Sequence, residues 1–230
     1  FTETTAQLIK RLQRGERLYL PTNDPIEFER KDLPIDPYVL GVLIGDGCMT
    51  NSQWTDNRTC LLISNNENDV VKRFASRLKS TRIVEYKKSY TKSVYCDDAF
   101  AIHKYLKDVG LCTYSYNKFI PHEYLFASIE QRRELLAGLF DTDGCVDDGS
   151  FRFTTTSERL RDDVLHLVRS LGYNATWTKD KRAYKYTSGV CYDVFIRTSD
   201  EIFHSKKHKE RYAEYLTNKG KNFRRANCHN

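Results

Sequence analysis

The sequence predicts a mixed α+β fold built from two copies of one unit: helix, strand, helix, β-hairpin and helix. Each copy starts with an apolar segment that ends in Asp-Gly, reading VLGVLIGDG at 39–47 and LAGLFDTDG at 136–144. The helical and strand-like patterns that follow the first segment recur in the same order after the second. We therefore expect an internal duplication with a period of about a hundred residues.

Small residues lie four apart in each apolar segment: Gly41 and Gly45 in the first, Gly138 and Thr142 in the second. Residues i and i+4 share one face of a helix, so each segment presents a stripe almost free of side chains. Two such stripes allow the helix backbones to pack unusually close. The glycine after each aspartate is typical of a residue just past a helix end with positive φ. The two aspartates are expected at the same end of the helix pair.

The elements of the first unit follow from local patterns. Apolar residues at helical spacing between 70 and 78 predict a helix, and Pro37 suits the first turn of the helix before it. An entry arm, residues 1–33, precedes the unit and holds a short helix over 5–14, closed by Gly15, and a strand over 17–21. The unit itself spans residues 34–117, with helices over 38–46, 66–79 and 98–109, the last ending at Gly110, and strands over 59–64, 82–90 and 92–96.

The second unit, residues 118–230, repeats this order. Its motif helix is followed by a strand over 151–155, a helix over 158–171 closed by Gly172, strands over 175–179 and 184–197 with a turn at 188–189, and a helix that begins near Asp200. An antiparallel sheet with helices on one side leaves its other face open. Such a face can contact another molecule.

The composition narrows the class of protein. Lys and Arg number 37 against 31 Asp and Glu, and the pI is near 8.8, which favours a polyanionic partner. The 15 tyrosines suit a surface that contacts sugars, phosphates and bases. No apolar run approaches the roughly 18 residues of a membrane span, no signal peptide is recognisable, and the seven cysteines include no C-x-x-C pair. We expect an intracellular protein without a membrane association.

Asp46 and Asp143 are the candidates for chemistry. Two ionised carboxylates repel by roughly 4 kcal/mol at a separation of 4 Å and an effective dielectric constant near 20. They can share a proton, as in acid proteases, or bind divalent cations between them. Oxygen ligands favour Mg²⁺, and cations clamped by carboxylates are a common device for hydrolysing phosphodiesters. Together with the basic composition, the pair favours phosphodiester cleavage over acid proteolysis.

Residues 136–144 match the motif of the LAGLIDADG homing endonucleases except at Phe140 and Thr142, so the chain resembles that family. Residues 39–47 match more loosely, with Ile44 in place of the motif's first acid. The resemblance implies a single chain with two motifs and a saddle-shaped pair of antiparallel sheets over DNA. It assigns catalysis to the second acid of each motif, Asp46 and Asp143, and not to Asp141.

The resemblance is strongest to endonucleases embedded in inteins. In these enzymes a lysine before an apolar-Ile-Pro step reaches the active centre, which implies this role for Lys118. Pseudo-symmetry implies Lys207 as its counterpart, with Lys206 as the alternative. Gly45 and Thr142, which precede the two acids, join them as expected metal ligands. The expected metal is Mg²⁺, with Mn²⁺ or Ca²⁺ able to occupy the same sites.

The hairpin strands of both units carry basic and aromatic residues that are candidates for DNA contact. Alternation aims only about half of them at one sheet face, and the sequence leaves open which half. The candidates are Lys87, Lys88, Tyr90, Lys92 and Tyr95 in the first unit and Arg152, Lys179, Lys181, Arg182, Tyr184, Lys185, Tyr186 and Arg197 in the second.

The sequence thus predicts a monomeric, Mg²⁺-dependent endonuclease that cuts double-stranded DNA at an asymmetric site without an obligatory protein partner, and the resemblance implies that the site is long and that the cut leaves 3′ overhangs. The alternative is a binder without cleavage activity on the same scaffold, either an intron maturase or a transcription factor. The chain ends in His229-Asn230, the dipeptide that closes inteins, but Phe1 is not a splicing nucleophile. We therefore expect an endonuclease portion that does not splice by itself.

Overall fold

The computed structural model describes residues 3–17, 23–49, 60–86, 89–147, 150–180 and 189–227, with side chains to 218. The fold is α+β, as predicted, and contains helices and two antiparallel sheets within these ranges. The helices are α1 (Thr5–Gln13), α2 (Pro37–Asp46), α3 (Asn68–Ser76), α4 (Ala99–Asp108), α5 (His122–Leu125), α6 (Ile129–Asp143), α7 (Glu158–Ser170) and α8 (Lys206–Asn227). The strands are β1 (Cys60–Ser64), β2 (Arg82–Glu85), β3 (Thr91–Tyr95), β4 (Gly144–Asp147), β5 (Ser150–Thr155), β6 (Asn174–Asp180) and β7 (Cys191–Arg197).

The two sheets follow the duplication. The first has the strand order β1-β3-β2 and the second has the order β4-β5-β7-β6, with every neighbouring pair antiparallel. The same polar turn leads from β1 to α3 and from β5 to α7. In the first, the Glu67 amide donates to the Asn65 Oδ1 at 2.7 Å, and in the second, the Ser157 amide donates to the Thr155 Oγ1 at 3.1 Å.

The motif helices α2 and α6 lie at the centre of the molecule. α2 begins at Pro37, with the Asp36 carboxylate accepting from the amides of Tyr38 and Val39. α6 begins with a capping box between Ser128 and Gln131. Most residues of both helices are buried, so neither shows a one-sided apolar stripe. The helix pair is therefore the core on which both sheets and the outer helices pack.

The predicted helix near Asp200 starts later than expected. Residues 200–205 are not helical, and α8 begins at Lys206. The reason is the buried carboxylate of Asp141, which accepts hydrogen bonds from the backbone amides of His204 and Ser205, both at 2.9 Å. It also accepts from the Tyr38 hydroxyl at 2.9 Å. These bonds hold the segment before α8 against the motif helices.

Three short elements were absent from the sequence prediction: β4, α5 and a 3₁₀ turn at Ser115–Asn117. Each is too short for a periodic signal. Several predictions lie outside the described residues: most of the strand over 17–21, the first part of the strand over 184–197, and the end of the chain at 229–230.

The arm is tied to the second unit rather than to the first unit that follows it. The Ile26 amide donates to the Ser170 carbonyl at 2.9 Å. The fully buried guanidinium of Arg132 donates to the carbonyls of Ala127 and Ser170, both at 2.8 Å, and to that of Ile26. These bonds satisfy a buried charge with carbonyl oxygens and fix the arm against α6 and α7.

Within the described ranges, none of the helices has both the length and the apolar character needed to cross a bilayer.

Candidate active site

Helices α2 and α6 pack in parallel through their small residues. A Cβ atom on Gly41 would lie 2.8 Å from the Leu139 amide nitrogen, and one on Gly138 would lie 3.0 Å from the Val42 amide nitrogen. One turn later, Gly45 faces Thr142. The backbones thus approach as the stripe of small residues predicted, and the two helices end side by side.

The glycines after the two acids have a different role from the one predicted. Gly47 (φ −69°) and Gly144 (φ −86°) are both extended rather than left-handed. The chain runs directly from each helix into extended backbone. A Cβ on Gly47 would lie 2.9 Å from the Leu43 Cα, and one on Gly144 would press on the Phe140 ring. Gly47 and Gly144 are therefore required because a side chain would not fit there, and not because the backbone has a positive φ.

Asp46 is half-buried at the end of α2. Its Oδ2 accepts a hydrogen bond of 2.7 Å from the Asn65 amide group. Burial raises the pKa of Asp46, while Asn65 and the charge of Lys118 oppose the rise. Asn65 itself is buried and fixed by its bond to the Glu67 amide, so it holds one oxygen of Asp46 in place.

Asp143 ends α6 beside Asp46, and a Cβ built on Gly45 would be 3.3 Å from its Oδ2. Asp143 is exposed to solvent, although the neighbouring protein still partly desolvates its carboxylate. This desolvation and the charge of Asp46 raise the pKa of Asp143 to about 7, against a smaller lowering by Lys118. No hydrogen bond reaches its carboxylate from the described residues. The two acids therefore repel each other at the same end of the helix pair.

Lys118 is the cation of this group. Its buried Nζ donates to the carbonyl oxygens of Ile44 and Gly45, the latter at 2.9 Å. Burial lowers the pKa of Lys118, while the charges of Asp143 and Asp46 raise it. The lysine backbone is anchored as well, because its carbonyl accepts from the Ser157 hydroxyl at 2.6 Å.

A cavity of about 320 Å³ opens beside these groups. Its wall combines the ends of the motif helices with the end of β5 and the 3₁₀ turn. It is lined by Gly45, Ser115, Lys118, Asp143, Thr154, Thr155, Thr156, Leu160 and Cys191.

The donor set fits a hard divalent cation. Asp143 offers an accessible carboxylate, and Asp46 a second one beside it. The other two expected ligands also make hydrogen bonds: the Gly45 carbonyl accepts from Lys118, and the Thr142 hydroxyl donates to the Leu139 carbonyl at 2.8 Å. Each oxygen keeps a lone pair for a cation. The described residues contain no cluster of three or more His, Cys, Asp and Glu side chains suited to a metal. Mg²⁺ keeps several water ligands and needs only one or two carboxylates, so the pair is sufficient.

Lys207 does not join the two acids. It lies in the first turn of α8, about half exposed, and its Nζ is 3.1 Å from the Glu67 carboxylate. The charge of Lys118 acts on the pKa of both Asp46 and Asp143, and the charge of Asp46 acts on that of Asp143, whereas Lys207 acts on neither. The alternative, Lys206, is exposed, and its backbone amide donates to Asp69 at 2.7 Å.

Strand register decides which of the candidate DNA contacts face outward. In the second sheet Arg152 lies between the buried Phe151 and Phe153, and Arg197 follows the buried Ile196. Both arginines therefore point to the face opposite the core. Lys179 pairs with the buried Tyr192 and lies on the helix-packed face.

In the first sheet, Lys92 is also turned to the helix side, where its Nζ donates to the Asn68 Oδ1 at 2.9 Å. Tyr95 lies on the open face, stacked under the Arg82 guanidinium at 4.6 Å, and Tyr90 is exposed between the strands. The remaining candidates lie outside the described residues: Lys87, Lys88, Lys181, Arg182, Tyr184, Lys185 and Tyr186.

Two residues were not among the candidates predicted from the sequence: Asn65, which contacts Asp46, and Arg82, on the open face of the first sheet. Asn65 directly follows β1, in the turn before α3. Asparagine commonly makes local turns at such positions, so nothing in the sequence alone pointed to its bond with Asp46. Arg82 was placed in the right strand, and only the register aligns it with Tyr95.

The chain is similar in sequence to a known protein family and to a known protein. The sequence model of one protein family, the LAGLIDADG-like domain, matches residues 130–225. The replicative DNA helicase DnaB of Mycobacterium intracellulare is 32% identical over 193 residues, which cover 82% of this chain and 28% of that protein. The chain thus spans less than a third of this relative's length.

Two solved structures are similar to this chain. I-DmoI in complex with DNA and Ca is 15% identical, with a TM-score of 0.49, covering 78% of this chain and 96% of that one. The homing endonuclease I-WcaI bound to its DNA recognition sequence is 14% identical, with a TM-score of 0.40, covering 93% and 88%.

Proposed function

Because the chain belongs to the LAGLIDADG family, we propose that it is a site-specific endonuclease that hydrolyses both strands of double-stranded DNA with the help of divalent cations. The observation that carries this proposal is the parallel packing of α2 and α6, which brings Asp46 and Asp143 close enough for one charge to raise the pKa of the other. A protein that only binds DNA has no need of this costly pair.

The residues have distinct roles in this proposal. Asp46 and Asp143 would hold the cations, of which Mg²⁺ is the expected one, and Asn65 keeps one oxygen of Asp46 aligned. When bound, such cations stabilise the charge on a phosphate and increase the acidity of a bound water. Lys118 brings a buried positive charge beside both acids, where negative charge develops during phosphodiester hydrolysis. We assign no catalytic role to Lys207, because its amine pairs with Glu67.

The open faces of the two sheets would contact the DNA. They present Arg82 and Tyr95 in the first sheet and Arg152 and Arg197 in the second, on a chain with a net charge of +6. A two-stranded ribbon fits the major groove. Since the halves, 34–117 and 118–230, present different side chains, a monomer would recognise an asymmetric site. The resemblance further implies a long site and 3′ overhangs.

We also propose that the chain is an endonuclease of the intein-associated kind. The likeness to a replicative helicase covers only 28% of that protein, as expected if an endonuclease segment interrupts it. A homing enzyme recognises the uninterrupted form of the gene in which it lies. The first target to test is therefore an uninterrupted helicase gene of this type.

The test is incubation of the protein and Mg²⁺ with a plasmid carrying that gene, and in parallel with a plasmid pool carrying randomised inserts. Linearisation at one site, lost in Asp143→Asn and in EDTA, supports the endonuclease. Tight binding to a recovered duplex with no cutting by the wild type in Mg²⁺, Mn²⁺ or Ca²⁺ favours the alternative, a maturase or transcription factor. The duplex recovered from either plasmid is called the target duplex below.

A further inference from the structure

Two exposed tyrosines lie at the edge of the candidate active site. Tyr114 is 60% exposed and Tyr116 is 58% exposed. Their rings are stacked on each other, with centroids 5.6 Å apart and an angle of 9° between the planes. Neighbouring exposed apolar side chains can mark a place of interaction.

The backbone beneath the tyrosine pair is held in place. The 3₁₀ turn Ser115–Asn117 is closed by a hydrogen bond of 3.0 Å from the Asn117 amide to the Tyr114 carbonyl. The Thr156 hydroxyl donates to the Ser115 Oγ at 3.3 Å and ties the turn to the end of β5. A contact made by such a preorganised element costs less ordering entropy than one made by a loose loop.

The turn is part of the wall of the active site. Ser115 lines the same cavity as Lys118 and Asp143. Tyr116 precedes Lys118 by two residues, so their Cα atoms are at most about 7 Å apart. One base step of DNA is about 3.4 Å. The tyrosine pair therefore lies within a few base steps of a phosphate bound at Asp143.

We propose that Tyr114 and Tyr116 form an aromatic platform that stacks on a base or deoxyribose of the DNA strand next to the phosphate being cut. This proposal rests on the proposed endonuclease function. Aromatic rings stack on every base because each has a π-face, and aromatic or apolar side chains inserted beside base steps can unstack and kink the duplex. The pair would thus position the strand without reading its sequence.

A protein partner is the competing explanation for exposed tyrosines. Three observations favour DNA: the pair adjoins the acid pair through Ser115 and Lys118, the chain is basic, and the open sheet faces carry further arginines. A surface for a protein has no reason to adjoin a cavity lined by Asp143 and Lys118.

The test uses the target duplex with a fluorescent purine analogue placed at successive positions near the cleavage site, and Ca²⁺ as the cation. Tyr114→Ala, Tyr116→Ala and the double variant are compared with Tyr114→Phe and Tyr116→Phe, which keep the ring. The matched control is Phe100→Ala, since Phe100 is also 60% exposed but lies on α4. Circular dichroism melting verifies that each variant folds.

We expect affinity to fall about tenfold for each ring removed, as base stacking on aromatic side chains typically does. We also expect the wild type and both Phe variants to change the fluorescence at one or two positions, and the double Ala variant to lose this change. Unaltered affinity and fluorescence in a folded double Ala variant would overturn the proposal and leave a protein surface as the explanation. If the wild type neither binds nor cuts any duplex, the endonuclease function itself fails and this inference falls with it.

Discussion

The Nζ atom of Lys118 lies 2.9 Å from the carbonyl oxygen of Gly45, the residue that precedes Asp46. This bond joins the start of the second unit to the motif helix of the first. It places a buried cation where both acids act on its pKa. The positive charge and the two negative charges therefore form one electrostatic group, although they come from three separate parts of the chain.

Replacing Lys118 by Met is expected to lower the rate of DNA cleavage by at least a hundredfold, because electrostatic stabilisation of developing charge by one preorganised group is typically of order 10²–10³. Lys207→Met should change the rate only a few-fold, since that amine is paired with Glu67. Single-turnover cleavage of the target duplex in Mg²⁺ measures both. Equal losses in the two variants would restore the symmetric pair of lysines expected from the sequence.

Stability without cations should depend on pH through Asp143. Its pKa is about 7 in the folded protein, above the usual carboxyl value of 3.8, so the folded state favours the protonated form. This contribution is complete below the unfolded pKa and is lost as pH rises through about 7. In EDTA, Asp143→Asn should therefore unfold at a higher temperature than the wild type at pH 8, with a smaller difference near pH 5. A difference that grows toward low pH would contradict the assigned shift.

Divalent cations should reverse this effect only in proteins that keep Asp143. A cation that binds only the folded state raises the melting temperature, by an amount that grows with the logarithm of the cation concentration above its Kd. At pH 8 we expect Ca²⁺ to raise the melting temperature of the wild type and not that of Asp143→Asn. Asp147→Asn, a change at an exposed position of β4, is the control and should respond like the wild type. An equal response of all three proteins would place the cation elsewhere.

The close packing of the motif helices predicts a large cost for any side chain at Gly138. A Cβ there would meet the Val42 amide at 3.0 Å and the Tyr38 carbonyl more closely still. Overpacking a core usually costs about 1–3 kcal/mol, and here backbone rather than a flexible side chain must move. Gly138→Val should therefore lower the free energy of unfolding in urea by more than Ala101→Val, a change at an exposed site of α4. Similar losses would mean that the helices do not touch at this point.

Local patterns predicted the features that depend on neighbours in the chain. The spacing of Gly41, Gly45, Gly138 and Thr142 was enough to predict a close parallel helix pair with both acids at one end, because helical periodicity converts spacing into a face. Helix positions followed from apolar periodicity in the same way.

Features that depend on contacts between residues far apart in the chain could not be predicted from the sequence. The strand register turned Lys92 and Lys179 toward the helices, and no single strand contains the information that fixes it. The later start of α8 follows from the carboxylate of Asp141, which lies more than sixty residues earlier. The bond from Asn65 to Asp46 similarly required the folded arrangement of β1 beside α2.

The central claim is that Asp46 and Asp143 together hold a divalent cation against DNA. Crystals of the protein with the target duplex, soaked in Mn²⁺, test it most directly through the anomalous scattering of manganese. We expect either one anomalous peak in contact with both carboxylates or two peaks with one carboxylate each, and no peak there in Asp143→Asn. A strong peak elsewhere, with both carboxylates lacking a cation in the wild-type complex, would contradict it.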